Sequence, residues 1–139
     1  MIARQLTILT ENSAMRLGQV ISDLGDKGID IRAHCFVDNG DGHCKLRMIV
    51  SDPDLAVASL RDLRLAVVEN DVVVVEVDDQ PGGFSRILAM LAPNEIKITY
   101  SYVAVSETPG TALMVFRFSN NEQAARLLTE NGVKAVSPS

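Results

Sequence analysis

Asp79-Gln80-Pro81-Gly82-Gly83-Phe84 decides how this chain is read, because Asn12-Ser13-Ala14-Met15-Arg16-Leu17 stands in the same place 67 residues earlier. Each stretch follows a short run of strand formers, Leu6 to Leu9 in one case and Val72 to Val77 in the other. Each also leads into an apolar stripe of helical spacing. The stripes are Leu17, Val20, Ile21 and Leu24, then Phe84, Ile87, Leu88 and Leu91. A gapless shift of 67 residues gives six identities: Leu24 with Leu91, Ile29 with Ile96, Ile31 with Ile98, Leu46 with Leu113, Ala58 with Ala125, and Leu60 with Leu127. Identity this sparse carries little. The repeated order of hydrophobic periods carries more.

Working outward, the same elements are predicted in both halves. Gly25 and Gly28 close the first helix, and Pro93-Asn94 closes its counterpart. Strands follow at Ile29 to Val37 and Ile96 to Val105. Turns at Asn39-Gly40-Asp41-Gly42 and Thr108-Pro109-Gly110 lead back along Cys44 to Val50 and Thr111 to Phe118. Asp52-Pro53 is a cap followed by proline at the first helical position, and that helix runs to about Leu63. Its counterpart runs from Asn120 or Asn121 to Asn131. Short strands at Ala66 to Val68 and Val133 to Val136 complete the halves. The expected fold is α+β, a ferredoxin-like β-α-β-β-α-β unit occurring twice, with antiparallel sheets and helices on one face. The expected domains are residues 1–70 and 71–139, joined at Glu69-Asn70-Asp71.

Composition narrows the function classes. The chain has 139 residues, 47% of them hydrophobic and 22% charged, as in a globular protein. A formal charge of −5 is the wrong sign for neutralising phosphates, so no nucleic-acid partner is expected. No apolar run reaches the length of a membrane span, and the first residues lack the pattern of a signal peptide, so a cytoplasmic location is expected with no membrane partner. Two cysteines cannot form a secreted disulfide scaffold. Motifs for nucleophilic hydrolysis, zinc proteolysis, and phosphate or dinucleotide binding do not occur, so no catalytic residues and no cofactor are expected.

The two loop-to-helix stretches resemble the ACT domain, a regulatory module that binds amino acids. Asp79-Gln80-Pro81-Gly82-Gly83-Phe84, with Ile96-Lys97-Ile98 after the helix, resembles one copy. Glu11-Asn12-Ser13-Ala14-Met15-Arg16-Leu17, with Gly28-Ile29-Asp30-Ile31, resembles another. The resemblance covers nearly the whole chain and implies a tandem ACT protein with no attached enzyme. It further implies ligand contacts from Asn12 and Asp30 in the first copy and from Asp79 and Lys97 in the second. The loop residues Ser13, Ala14, Met15, Arg16, Leu17, Gln80, Pro81, Gly82, Gly83 and Phe84 complete the expected site. The ligand would be a small amino acid, its carboxylate against backbone N–H groups at a helix start and its ammonium on Asn12, Asp30 or Asp79. Gly82 and Gly83 would let it approach the backbone.

Plainer alternatives stand beside this reading. Asn12 and Asp79 are also good helix caps, which need no ligand. The chain also departs from the pattern: Ala14-Met15 replaces Pro-Gly in the first copy, and Lys97 cannot accept a bond from an ammonium group. A composite site shared between copies or subunits accommodates both departures. His34-Cys35 and His43-Cys44 raise a metal site, but a tight turn at Asn39-Gly40 sets Cys35 opposite Cys44 on the helix-packed face, with His34 and His43 on the other. Ligands divided between two faces cannot form one tetrahedron, so no metal is expected. Strand parity also places Val72, Val74, Val103, Val105, Met114, Phe116 and Phe118 on the outer face of the second sheet, a patch fit for a homodimer. The second function class is a structural protein–protein interaction module with no small-molecule ligand.

Overall fold

The computed structural model describes residues 1–136; residues 137–139, the end of the expected second repeat, lie outside the described residues. Strands β1 (Ile2–Glu11), β2 (Ile31–Asp38) and β3 (His43–Val50) and helices α1 (Ala14–Asp26) and α2 (Pro53–Asp62) make up the first half. The long strand β4 (Ala66–Asp78) leads into helix α3 (Gly83–Leu91), followed by a single 3₁₀ turn at Ala92–Asn94. Strands β5 (Ile98–Val105) and β6 (Thr111–Phe118), helix α4 (Asn121–Glu130) and the short β7 (Lys134–Ala135) complete the chain. The described residues divide into two compact units, one of Arg4–Asn70 and one of Met1–Ala3 with residues 71–136.

The sequence leads to expect a joint between two strands at Glu69-Asn70-Asp71, yet these residues lie inside β4, which is unbroken. Their side chains are polar, but the valines on either side supply strand propensity and buried contacts that outweigh them. The first residues also go with the second unit: the Val74 N–H donates to the Met1 carbonyl at 2.8 Å, and Met1 packs against the second core.

Each unit is a split β-α-β sheet. In the second, β6 lies between β4 and β5 and pairs antiparallel with both, and β7 pairs with the other edge of β4. In the first, β3 lies in the same way between β1 and β2. The helices cover one face. Val20, Leu24, Ala56 and Leu60 are fully buried against Leu6, Ile8 and Met48 in the first core. Ile87, Leu91, Ala124 and Leu128 pack on Val73, Val75 and Phe116 in the second.

Local chemistry accounts for the helix starts. The Ser13 hydroxyl accepts from Arg16 N–H at 3.3 Å, Asp52 from Leu55 at 3.1 Å, and Asn120 from Gln123 at 3.0 Å. Helix α3 starts without a side-chain cap on Gly82, whose φ of 91° suits glycine. Asn12 and Asp79 therefore cap nothing, which removes the plainer explanation for both.

Three expectations about strand faces are corrected. The turn between β2 and β3 spans Asn39 to Gly42, with Asn39 N–H donating to His43 O at 2.9 Å, so it is longer than a two-residue turn. A bulge between Ile31 and Ala33 shifts the register again. Cys35 therefore pairs with Arg47 and Cys44 with Asp38 and Thr10. The two cysteines lie on opposite faces, and His34, beside Met48, is on the helix-packed face. The third correction concerns the apolar patch. Met114, Phe116 and Phe118 belong to the core beneath the helices, and Phe116 stacks on Phe84 and Phe118 at ring distances of 6.3 and 4.9 Å. Val72 and Val74 do face away from the helices but are already fully buried within the chain. Of the seven, Val103 and Val105 alone are exposed, and they share the face of Met114 and Phe116, so the seven form no common outer patch.

Candidate functional site

The two loop-to-helix stretches are held in the same way. The Asn12 N–H donates to Gly42 O at 2.9 Å, and the Asp79 N–H donates to Gly110 O at 3.0 Å. Each loop is thereby fastened to the hairpin turn of its own unit, with its polar side chains exposed. In the first unit the Asn12 amide also donates to the Asp38 carboxylate at 2.8 Å. Asp38 is a neighbour that the sequence alone does not bring to this loop.

Asp30 and Lys97 stand elsewhere. Asp30 N–H donates to Ser51 Oγ at 2.9 Å and Ser51 N–H returns a bond to Asp30 O at 2.9 Å. Lys97 and Ser119 form the same reciprocal pair, at 3.0 and 2.9 Å. These locks sit before the start of β2 and β5, whereas Asn12 and Asp79 sit beside the turns that follow those strands. An eight-residue strand separates the two ends, roughly 25 Å at the usual rise. Within one unit the structure does not bring Asn12 to Asp30 or Asp79 to Lys97. Asp30 is also paired with Arg32, at 3.1 Å.

The remaining predicted residues divide by direction. Met15 is 76% exposed and Phe84 45%. Leu17 packs against the first core, and Arg16 turns away to donate to Leu63 O at 3.1 Å. Gly83 packs so closely on β4 that a Cβ there would lie 2.3 Å from the Asp78 carbonyl oxygen. Its role is backbone packing; Gly82, with open space around its Cβ position, is the glycine that leaves room.

Beside each loop a groove runs between the unit's first helix and its outer strand. In the second unit it encloses about 410 Å³ and is lined by Asp78, Asp79, Gln80, Phe84, Ser101, Val103 and Met114, among others. In the first it encloses about 260 Å³, lined by Leu17, Ile21, Ile31, His34, Phe36, Leu46 and Met48. Leu17 and Phe84 are equivalent, as are His34 and Ser101, and Phe36 and Val103, so the grooves are two versions of one feature. The second is the more polar at its loop end. Sequence reasoning left out Ser101 and set Val103 and His34 on the opposite face, because their direction depends on the bulge near the start of each outer strand.

Other chemistry is sparse. Burial pushes the Cys44 thiol pKa up, and the nearby Asp38 charge adds to the shift. The Glu76 carboxyl is lowered to about 2, chiefly by hydrogen bonds from Thr108 and Thr111, with Lys134 and Ser106 assisting. Among the described residues no group of His, Cys, Asp and Glu is placed to hold a metal ion. No helix among them is long and apolar enough to cross a membrane.

Comparison with known proteins agrees with this architecture. Protein BT0572 from Bacteroides thetaiotaomicron is 34% identical, with a TM-score of 0.91, over 99% of this chain and 94% of that one. The ligand-free regulatory subunit of aspartate kinase from Thermus thermophilus is 14% identical, with a TM-score of 0.66, over 94% of each chain. The corresponding subunit from Thermus flavus, 14% identical with a TM-score of 0.62 over 93% of this chain and 95% of that one, likewise shares the fold. No curated protein gives a significant match. A family described as an ACT domain pair matches residues 1–138, and the chain belongs to that family.

Proposed function

We infer that this chain is a non-catalytic regulatory module that binds a small amino acid at its strand-to-helix loops. The observation carrying this reading is the loop geometry. Asn12 and Asp79 are not spent as helix caps, are fastened by backbone bonds to a hairpin glycine and stand exposed, and Asp79 lines a groove. Such an arrangement offers a carboxylate the N–H groups of a helix start and offers an ammonium group a side-chain oxygen. The apolar part of a ligand would lie against Phe84, Val103 and Met114.

The distance from the loops to Asp30 and Lys97 supports a composite site built with a second copy of the chain. Antiparallel pairing of outer strands sets the start of one strand beside the end of the other, which would carry Asp30 or Lys97 to a partner's loop. The outer strands suit this: Val103 is 62% exposed, Val105 89% and Phe36 43%. A homodimer through β2 or β5 therefore replaces the sheet-face dimer that the sequence suggested. The free thiols Cys35 and Cys44 suit a reducing, cytoplasmic setting.

Thermal unfolding with each of the twenty amino acids at millimolar concentration tests the reading. At least one should raise the melting temperature, more weakly in Asn12→Leu or Gly82→Asn. Uniform failure would leave a structural interaction module as the better account.

A further inference from the structure

A second cavity, of about 290 Å³, lies on the other side of α3, walled by β4, β7 and the end of α4. Its significance comes from comparing the two units. Helix register equates Val20 with Ile87 and Leu24 with Leu91, all buried, so Arg16 corresponds to Gly83. The last helices equate Leu63 with Asn131, the residue following each helix. In the first unit Arg16 spans this notch and its guanidinium donates to Leu63 O at 3.1 Å. In the second the equivalent position is bare, because a Cβ on Gly83 would lie 2.3 Å from Asp78 O. The notch that one unit plugs with its own guanidinium is open in the other.

The lining shows what would fill it. Ile87, Met90 and Val133 form an aliphatic wall, and Asp78 and Glu76 supply carboxylates. Helix α4 has no basic residue in its last turn, whereas α2 has Arg61 there as well as Arg16 at its end. The Asn131 side-chain amide donates to Leu127 O at 2.7 Å, but it is neutral, so the negative end of the α4 dipole lacks the basic compensation that α2 has. Arg86 and Lys134 also line the cavity but are matched already, Arg86 to Asp78 at 3.3 Å and Lys134 to Glu76 at 3.2 Å. Both are more than half exposed, free to swing toward a carboxylate on an incoming molecule.

We propose that this cavity binds a small zwitterion bearing a guanidinium or ammonium group on an aliphatic stem, taking the place that Arg16 fills in the first unit. The cation lies at the end of α4 with Asp78, the stem along Ile87 and Met90, and the ligand carboxylate at the rim with Arg86 or Lys134. The cavity shares Asp78 with the loop groove but lies on the opposite side of α3, and binding there does not require a ligand at the loop.

The test is an NMR titration of the full ¹⁵N-labelled chain with L-arginine and, in parallel, L-citrulline, which has the same shape without the charge. Arginine should shift the amides of Gly132 and Lys134 saturably, and citrulline should bind about tenfold more weakly, the loss of a charge-assisted hydrogen bond. Met90→Trp, which fills the wall, and Met90→Arg, which supplies a tethered guanidinium, should both abolish the arginine shifts while preserving the dispersed spectrum. Absence of shifts at those amides, equal effects of arginine and citrulline, or shifts confined to residues 12–17 and 79–84 would overturn the proposal. The last outcome would still support the loop site.

Discussion

The Asn12 side-chain amide donates to the Asp38 carboxylate at 2.8 Å, linking the first strand-to-helix loop to the end of β2. The bond orients the Asn12 carbonyl oxygen, the atom that would meet a ligand's ammonium. Asp38→Ala should therefore shrink the ligand-induced melting shift. It should leave the unliganded melting temperature nearly unchanged, since the pair is exposed.

Ser13 gives the converse result. Its hydroxyl caps α1, so Ser13→Ala should cost about 1 kcal/mol of stability. Asn12→Leu should cost far less and act on binding instead. Denaturant unfolding with and without ligand separates the two, and a large stability loss from Asn12→Leu would contradict the assignment of the cap.

The two glycines at the start of α3 should behave differently. Gly83→Ala forces a Cβ against a backbone oxygen and should destabilise the chain by about 1–3 kcal/mol, as overpacking does. Gly82 has space but a φ of 91°, so Gly82→Asn should be tolerated, because asparagine enters the left-handed region most easily after glycine. Equal losses for the two would show that backbone strain, rather than the approach to Asp78, governs both.

Phe116 was legible as apolar but not in its direction. The chain's gapless internal shift equates Leu46 with Leu113, yet the turn between β5 and β6 holds one residue more than that between β2 and β3. Beyond it the true equivalences are Leu46 with Met114, Ala56 with Ala124 and Leu60 with Leu128, the last two pairs fully buried. One residue in a turn reverses every side chain of the strand that follows. This is why Phe116 reads as exposed and is in fact 0% exposed. The order of strands and helices survives such a shift because each is set by its own period. The loop residues were equally legible, being local, but their partners Asp38 and Ser101 were not. Bringing Asp38 to Asn12 takes the sheet pairing, and aiming Ser101 takes a bulge between Ile98 and Tyr100 that no residue type announces. Phe116→Ala should accordingly cost about 3–5 kcal/mol, and Phe116→Glu should unfold the chain rather than yield a soluble monomer.

Acid should weaken the second unit through Glu76. Its carboxyl titrates near 2 in the folded chain against 4.5 for the free side chain. A lowered folded pKa gives stability that is fully present above the unfolded value and is lost as pH falls from about 4.5 toward 2. Stability in that interval should be flatter with pH in Glu76→Gln than in the parent. Parallel curves would mean that the bonds from Thr111 and Ser106 do not persist in solution.

The central claim is that the loops beginning at Asn12 and Asp79 bind an amino acid, and NMR titration of the labelled chain with each of the twenty tests it most directly. At least one should shift the amides of residues 12–17 or 79–84 saturably, together with those of Ser101 and Val103 for the second loop. The same ligand at 100 times its dissociation constant should stabilise the fold by about 2.7 kcal/mol. If all twenty leave those amides unmoved at millimolar concentration, the loops are not a binding site and the account is wrong.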